Sequence, residues 1–221
     1  MISSSSSPAN LCLCLLCLCC LAIESTAQQK FKCSEGTTCR SLVGYRPYNG
    51  TTISDIQKYF GVRNLRTLLG ANNLPISTPR TYRIQPKQLV SVPIPCICFN
   101  GTGVSNRVPI YTVQPDDGLY YIATTMFSGL VEYPKIQEVN KIPDANLIDV
   151  GQKLWIPLPC SCEEVDGEEV VHYAHVVQGG STVEEIADEF GTTNTNIYKL
   201  NGIASNAQLI EGKTIDIPLR G

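Results

Sequence analysis

The spacing of apolar and polar residues near the carboxyl end of the chain predicts a compact succession of elements. The run His172 to Val177 is rich in β-branched and aromatic residues, which is typical of a strand, and Gln178-Gly179-Gly180 interrupts it. Two overlapping capping boxes, Ser181-x-x-Glu184 and Thr182-x-x-Glu185, then predict the start of a helix. The apolar residues of that helix recur at helical spacing, at Val183, Ile186, Ala187 and Phe190.

The pattern after this helix completes a small unit. Gly191 ends the first helix, and a second short helix follows, with Asn201 suited to the left-handed conformation at its end. Ile215 and Ile217 alternate with polar positions as in a strand, which Pro218 would terminate. The predicted order is strand, helix, helix, strand, and a unit this small must place its two strands side by side and antiparallel.

Two earlier segments end in the same way, which indicates a repeat with a period of roughly fifty residues. The interval from Asn140 to Gly151 equals that from Asn201 to Gly212, whereas the first segment is four residues longer between Asn72 and its closing strand. The closing runs are Val90–Pro93, Leu154–Pro157 and Ile215–Pro218. We therefore predict three modules, at residues 41–95, 109–159 and 172–221, with linkers at 96–108 and 160–171.

Residues 1–27 have the features of a secretory signal peptide. Leu11 to Ile23 form an apolar run that is too short to span a bilayer, and Ser25-Thr26-Ala27 offers a cleavage site. A retained or lipidated anchor that uses the five cysteines of this run is the alternative. We expect an exported chain in which a cysteine-bearing segment, residues 28–40, precedes the first module.

An even number of cysteines in an exported chain predicts disulfides, and six remain after the leader. Four of them form Cys-x-Cys pairs in the two linkers, and two precede the first module; the six are Cys33, Cys39, Cys96, Cys98, Cys160 and Cys162. A zinc site is the alternative, but structural zinc prefers wider spacing within each pair. Six cysteines allow fifteen pairings, and the residues alone do not choose among them.

Composition excludes some functions. Without residues 1–27 the chain has 19 acidic and 17 basic residues, so its small negative charge does not attract nucleic acid or an anionic membrane. The only histidines, His172 and His175, lie in a predicted strand, and the three modules leave no length for a catalytic domain. We expect a protein with no enzymatic activity, metal or cofactor. Two sequons in predicted loops offer glycosylation acceptors, Asn49 and Asn100.

The triple repeat, the Cys-x-Cys separators and the runs Leu68–Pro75 and Trp155–Cys162 resemble the plant chitin-elicitor-binding proteins, which are LysM domain-containing GPI-anchored proteins. The resemblance implies an α+β fold of three βααβ LysM modules that pack together and are cross-linked by disulfides in their linkers. It also implies the pairs Cys33–Cys98, Cys39–Cys162 and Cys96–Cys160. The resemblance extends over nearly all of the chain after the leader.

The same resemblance implies a shallow groove for N-acetylglucosamine oligomers between two loops of the second module. The first loop holds Gln114, Pro115, Asp116, Asp117, Gly118 and Leu119, and the second holds Ile142, Pro143, Asp144, Ala145, Asn146, Leu147 and Ile148. Small residues, backbone donors and a few apolar side chains suit an uncharged sugar with acetamido groups. Structural roles remain open, with Asp117 as a helix cap, Leu119 in the core and Asn140 as a helix terminator. The equivalent loops of the third module remain candidates.

The resemblance further implies chitin perception in plant innate immunity at the cell surface, with a LysM receptor kinase as co-receptor. Two copies that bind along one long oligomer would gain avidity, so a ligand-induced homodimer is a hypothesis. Peptidoglycan or a lipo-chitooligosaccharide is an alternative ligand, and an accessory module of a cell-wall glycan hydrolase is a third interpretation. Members of the family continue beyond the third module into a signal for a GPI anchor. We therefore expect membrane attachment only through an anchor that these 221 residues do not encode.

Overall fold

The computed structural model describes residues 31–219, so the predicted signal peptide lies outside the described residues. The first module contains β1 (Thr38–Tyr45), β2 (Thr51–Thr52), α1 (Ile53–Tyr59), α2 (Leu65–Gly70), β3 (Arg83–Ile84) and β4 (Val90–Phe99), and β5 (Thr102–Ser105) follows it. The second contains β6 (Ile110–Thr112), α3 (Leu119–Tyr121), a π-helical turn (Ile122–Met126), α4 (Tyr133–Val139) and β7 (Lys153–Trp155). The third contains β8 (Val171–Val176), α5 (Val183–Phe190), α6 (Asn194–Asn201), a 3₁₀ turn (Asn206–Gln208) and β9 (Thr214–Leu219).

Each module has the predicted order of strand, helix, helix and strand, with antiparallel strand pairs, and the α+β class is confirmed. The pairs are β1 with β4 and β2 with β3 in the first module, β6 with β7 in the second, and β8 with β9 in the third. One strand pairing joins two modules: β1 also pairs in parallel with β8, and Leu42 lies opposite Tyr173. The first and third modules therefore share a five-stranded sheet in the order β5-β4-β1-β8-β9.

Local sequence signals start and end α5 as predicted. The side chains of Thr182 and Glu185 form both hydrogen bonds of a capping box at the start of α5. Gly191 ends α5 in the left-handed conformation, with φ 65°. Val183, Ile186 and Ala187 are buried beneath this helix, as their helical spacing predicts.

The prediction that Pro218 terminates the last strand is wrong, because β9 continues through Pro218 to Leu219. The strand lies at the edge of the sheet. The amide of Asp216 donates away from β8, to the side chain of Asn201, and Pro218 lies two residues further along the same strand. Its nitrogen therefore faces the outer side, where no ladder hydrogen bond is lost.

The predicted left-handed conformation of Asn201 is also wrong, since the residue belongs to α6 and Gly202 takes that conformation instead. The side chain of Asn201 accepts from the amide of Asp216 (2.8 Å) and donates to the carbonyl of Asp216 (2.6 Å). Asn140 makes the same two contacts with Trp155, and Asn72 makes them with Ser91. The repeated asparagine thus ties the second helix of each module to its closing strand.

The first and second modules share one hydrophobic core, whereas the third has its own. Aromatic rings form the contact between the first two modules, and Tyr59 stacks on Phe127 with ring centroids 4.9 Å apart. Burial raises the pKa of Tyr59, whose hydroxyl donates to the carbonyl of Met126. A shared core offsets the small surface that a single unit of this size can bury.

The disulfides connect the linkers with the amino-terminal segment. They join Cys33 to Cys98, Cys39 to Cys162 and Cys96 to Cys160, which is the pairing that the family resemblance implies. Gly103 lies against this hub, because a Cβ atom built on it would be 1.9 Å from the carbonyl oxygen of Cys160. The hub therefore holds β5 close to the second linker.

A buried histidine pairs the two strands of the third module and also binds the second linker. The Nδ1 atom of His172 lies 2.8 Å from the carboxylate of Asp216, and its Nε2 atom lies 2.7 Å from the carbonyl oxygen of Glu163. Burial disfavours the charged imidazole, but the hydrogen bond and charge of Asp216 outweigh it and raise the pKa of His172. His175, on the same strand, has its pKa lowered to about 4 by burial and by Arg46.

Candidate functional site

The first predicted loop of the second module is held in shape by Asp117. Its carboxylate accepts hydrogen bonds from the hydroxyl of Tyr111 and the amide of Gln114, both at 2.7 Å. Burial and the contact with Asp117 raise the pKa of Tyr111, so this hydroxyl remains a donor. Asp117 therefore stabilises the turn, while Gly118 takes the N-cap position of α3 without a side-chain hydrogen bond.

The second predicted loop is organised by Asp144. Its side chain accepts from the amide and the side chain of Asn146, at 2.9 and 3.0 Å, and its carbonyl accepts from the amide of Leu147. Leu147 consequently projects outward and is 70% exposed. Ala145 and Ile148 are half-buried and pack against the core of the module. The loop thus presents one large apolar side chain beside a small residue.

Two of the thirteen predicted residues have side chains that a ligand does not reach from the surface. Leu119 and Ile142 are buried in the core, at 1% and 6% exposure. The backbone of Ile142 is also occupied, because its amide donates to Gln137 and its carbonyl accepts from the Gln137 side chain. Leu119 can therefore contact a ligand only through its backbone. Pro115, Asp116 and Pro143 are exposed on the two loops.

A difference between the modules appears at the first amide of their first helices. In the first module the Ile53 amide donates to the carbonyl of Tyr82, at 2.9 Å, in the segment before the closing strand. In the third module the equivalent Val183 amide donates to the side chain of Asn206, at 2.7 Å. The equivalent Leu119 amide of the second module has no acceptor among residues 31–219. Its donor therefore points toward the second loop without a protein partner.

Small residues leave this donor open in the second module. Ala145 occupies the position equivalent to Asn206, and it has no polar side chain that could reach the amide. A Cβ atom built on Gly118 would have no other atom within 4 Å, so space remains beside the donor. In the third module, the carboxylate of Glu211 lies 3.0 to 3.1 Å from where a Cβ atom on Gly179 would be. Side chains of the third module thus occupy the Val183 amide and the space beside Gly179.

An aromatic residue that was not among the predicted site residues lies at the edge of the second groove. Tyr120 is 68% exposed and packs edge-on against Tyr133, with ring centroids 6.3 Å apart. The equivalent residue in the third module, Glu184, accepts a hydrogen bond from Asn206 at 2.7 Å. That contact across the third groove indicates that Tyr120 lies beside Ala145 in the second. The helical spacing could have revealed it, since only Leu119 of Leu119-Tyr120-Tyr121 falls on the apolar stripe.

Both predicted glycosylation acceptors are exposed. Asn49 lies in the segment between β1 and β2. Asn100 and Gly101 form the two-residue loop between β4 and β5, both with positive φ, as an Asn-Gly hairpin turn requires. Glycan attachment at either residue stays a prediction.

A protein-family model matches segments of the second and third modules. The LysM domain family model matches residues 111–157 and 175–218. The chain is 56% identical over 201 residues to LysM domain-containing GPI-anchored protein 2 of Arabidopsis thaliana, which covers 90% of this chain and 57% of that protein. It is 40% identical over 191 residues to the chitin elicitor-binding protein of Oryza sativa subsp. japonica, and the match covers 86% of this chain and 54% of that protein. The chain thus spans little more than half the length of these relatives.

The fold matches that of a receptor ectodomain. The crystal structure of the ectodomain of a receptor like kinase superposes with a TM-score of 0.69 and 22% identity, over 85% of this chain and 94% of that one. Within residues 31–219, every helix is too short or too polar to cross a bilayer.

Proposed function

Because the chain belongs to the family of plant LysM domain-containing GPI-anchored proteins and chitin elicitor-binding proteins, we propose that it recognises N-acetylglucosamine oligomers in the groove of its second module. The family resemblance predicted from the sequence is confirmed, and so is an extracellular location. One of these relatives is named a chitin elicitor-binding protein, which supports a glycan-binding receptor role. Chitin perception in plant innate immunity is the specific form of that role that we propose.

The observation that carries the choice of module is the free amide of Leu119. Equivalent amides in the first and third modules already donate to the protein, at Tyr82 and Asn206. A ligand carbonyl that accepts from this amide adds a hydrogen bond that contributes about 0.5–1.5 kcal/mol net. The acetamido carbonyl of N-acetylglucosamine is such an acceptor, and the sugar carries no negative charge that the exposed carboxylates of Asp116 and Asp144 would repel.

The shape around this donor supports a sugar ligand. The space beside Gly118 allows a pyranose ring to approach the backbone, and Ala145 adds only a methyl group. Leu147 is 70% exposed and offers apolar contact for the acetyl methyl group. Pro115, Asp116, Pro143 and Asp144 form the exposed rim of the two loops. A few polar groups in a largely apolar groove are typical of sites for small uncharged ligands.

Signalling is proposed to require a LysM receptor kinase as partner, by analogy with the receptor like kinase whose ectodomain has the same fold. A long oligomer could bind two copies of the chain, and linking two sites raises the apparent affinity without any new contact. Peptidoglycan fragments and lipo-chitooligosaccharides contain the same sugar unit and are alternative ligands. They are tested in parallel with chitin oligomers.

The test is calorimetric titration of the oxidised protein with N-acetylglucosamine oligomers of increasing length. Ala145→Asn introduces the side chain that occupies the amide in the third module, and we expect it to weaken binding by at least about tenfold. Asn206→Ala is the matched control in the third module, and it should leave the affinity unchanged. Loss of binding in Asn206→Ala together with unchanged binding in Ala145→Asn would move the site to the third module.

The same protein and oligomer samples also test the class of ligand and the formation of a homodimer. Tighter binding of peptidoglycan or of the lipidated oligomer than of chitin oligomers would contradict the proposed chitin specificity. Light scattering with a long oligomer gives the mass of the complex. An unchanged protein mass per complex would contradict the ligand-induced homodimer.

A further inference from the structure

A cleft of about 250 Å³ lies on the first module, away from the groove of the second. Its lining includes the complete sequon Asn49-Gly50-Thr51 together with Tyr48, Asp55 and Tyr59. Met126 of the second module also lines it, so the cleft borders the contact between the two modules. An acceptor asparagine is therefore part of the wall of a cleft.

The cleft has aromatic walls and a few polar groups. Tyr48 is 56% exposed, while Tyr45 and Ile56 beneath it are buried. The exposed carboxylate of Asp55 accepts from the hydroxyl of Thr52 at 2.6 Å and lies 3.9 Å from Lys58, which leaves oxygen lone pairs available. Such a surface suits a pyranose ring, whose C–H face packs on an aromatic ring while its hydroxyl and acetamido groups form hydrogen bonds.

We propose that the cleft holds the first N-acetylglucosamine of a glycan attached to Asn49, and that this sugar braces the first module against the second. An asparagine-linked glycan on a eukaryotic exported protein begins with this sugar. Asn49 is exposed, and its side chain has no hydrogen-bond partner among residues 31–219, so it is free to carry the glycan.

Covalent attachment to Asn49 explains how the sugar can occupy the cleft although its contacts there are weak. A sugar tethered at the rim has a high effective concentration over the cleft, so a contact too weak to capture the free sugar is still populated. The bound sugar would touch Tyr48 on one side and the segment around Met126 on the other. It would therefore stabilise the pairing of the two modules that share a core. The proposal does not depend on sugar binding in the second module.

The second sequon is a matched control. Asn100-Gly101-Thr102 has the same sequence and also follows an exposed aromatic residue, Phe99, which is 64% exposed. It differs in position, because Asn100 lies on the tight hairpin loop between β4 and β5 and does not line this cleft. Asn100→Gln leaves only the Asn49 glycan, and Asn49→Gln leaves only the Asn100 glycan.

The experiment compares melting temperatures of each single-sequon variant with and without its glycan. Protein secreted from a eukaryotic host is trimmed to one N-acetylglucosamine per site, and the unglycosylated form is made in an oxidising bacterial host. In Asn100→Gln we expect the sugar to raise the melting temperature by about 2–4 °C, the size of one favourable contact in a chain of this length. Tyr48→Ala, added to that variant, should abolish most of the rise. In Asn49→Gln the sugar should change the melting temperature by less than about 1 °C.

Nuclear Overhauser contacts between the Tyr48 ring protons and the trimmed sugar give a direct readout, and we expect to observe them. An unmodified Asn49 in the secreted protein, equal rises at the two sequons, or a rise that persists in Tyr48→Ala would each overturn the proposal. Failure of the second module to bind oligomers would leave these outcomes unchanged, so the two proposals can fail separately.

Discussion

Replacing Asn201 by alanine tests whether the repeated asparagine holds each module closed. Asn201 is 1% exposed, and its side chain pairs with both the amide and the carbonyl of Asp216 on β9. These Asp216 groups lie on the outer side of an edge strand and lose their partner in Asn201→Ala. A buried polar group left unsatisfied costs about 1–3 kcal/mol, so we expect a loss of about 2–4 kcal/mol in the free energy of unfolding.

Asn140→Ala is the internal comparison. Asn140 makes the same contacts with Trp155 but is half-buried, so water can replace part of the lost hydrogen bonding. We expect a smaller loss, of about 1–2 kcal/mol. Urea unfolding followed by circular dichroism measures both variants, and the fluorescence of Trp155, the only tryptophan, reports the second module separately. A cost below about 1 kcal/mol for Asn201→Ala, or a larger cost for Asn140→Ala, would refute this account of the asparagine.

Four further predictions concern pH, packing and one disulfide. The pKa of His172 is raised in the folded state, so its contribution to stability is complete below a pH of about 6.5 and is lost as pH rises through the folded pKa. Urea unfolding at a series of pH values should show this loss of stability in the original protein and not in His172→Gln. The pKa of His175 is lowered to about 4, so the folded protein loses stability as pH falls from about 6.5 toward 4. His175→Gln should remove this loss of stability at acidic pH in the same urea unfolding series. Gly103→Ala should destabilise by at least about 2 kcal/mol in urea unfolding because its Cβ meets the Cys160 carbonyl, whereas Gly70→Ala, in open space on α2, should be neutral or stabilising. With the other two disulfides intact, Cys39–Cys162 closes a loop of only about 13 residues, through Cys33–Cys98 and Cys96–Cys160, so its removal by the double alanine variant should cost about 3 kcal/mol in urea unfolding. A cost below about 1 kcal/mol would contradict a structural role.

The candidate site was only partly predictable. Gly118, Ala145 and Leu147 were proposed from the loops, and the structure places open space at Gly118, a small side chain at Ala145 and an exposed side chain at Leu147. Leu119 was proposed as a site residue, with a place in the core as its alternative role, and its side chain is buried in the core. Its amide, which has no acceptor among residues 31–219, is the feature that sets the second module apart. A free amide cannot be read from one loop, because it depends on which atom of another segment faces it.

The sequence by itself determined the local elements. Helical spacing, the Thr182 capping box and Gly191 act within a few neighbouring residues, so their outcome is visible in the chain. The tertiary structure decided the parallel pairing of β1 with β8, the clamp formed by Asn201, the passage of β9 through Pro218 and the amide left free at Leu119. Each of these depends on backbone groups that are distant in sequence, and their hydrogen-bond partners exist only once the modules have packed together.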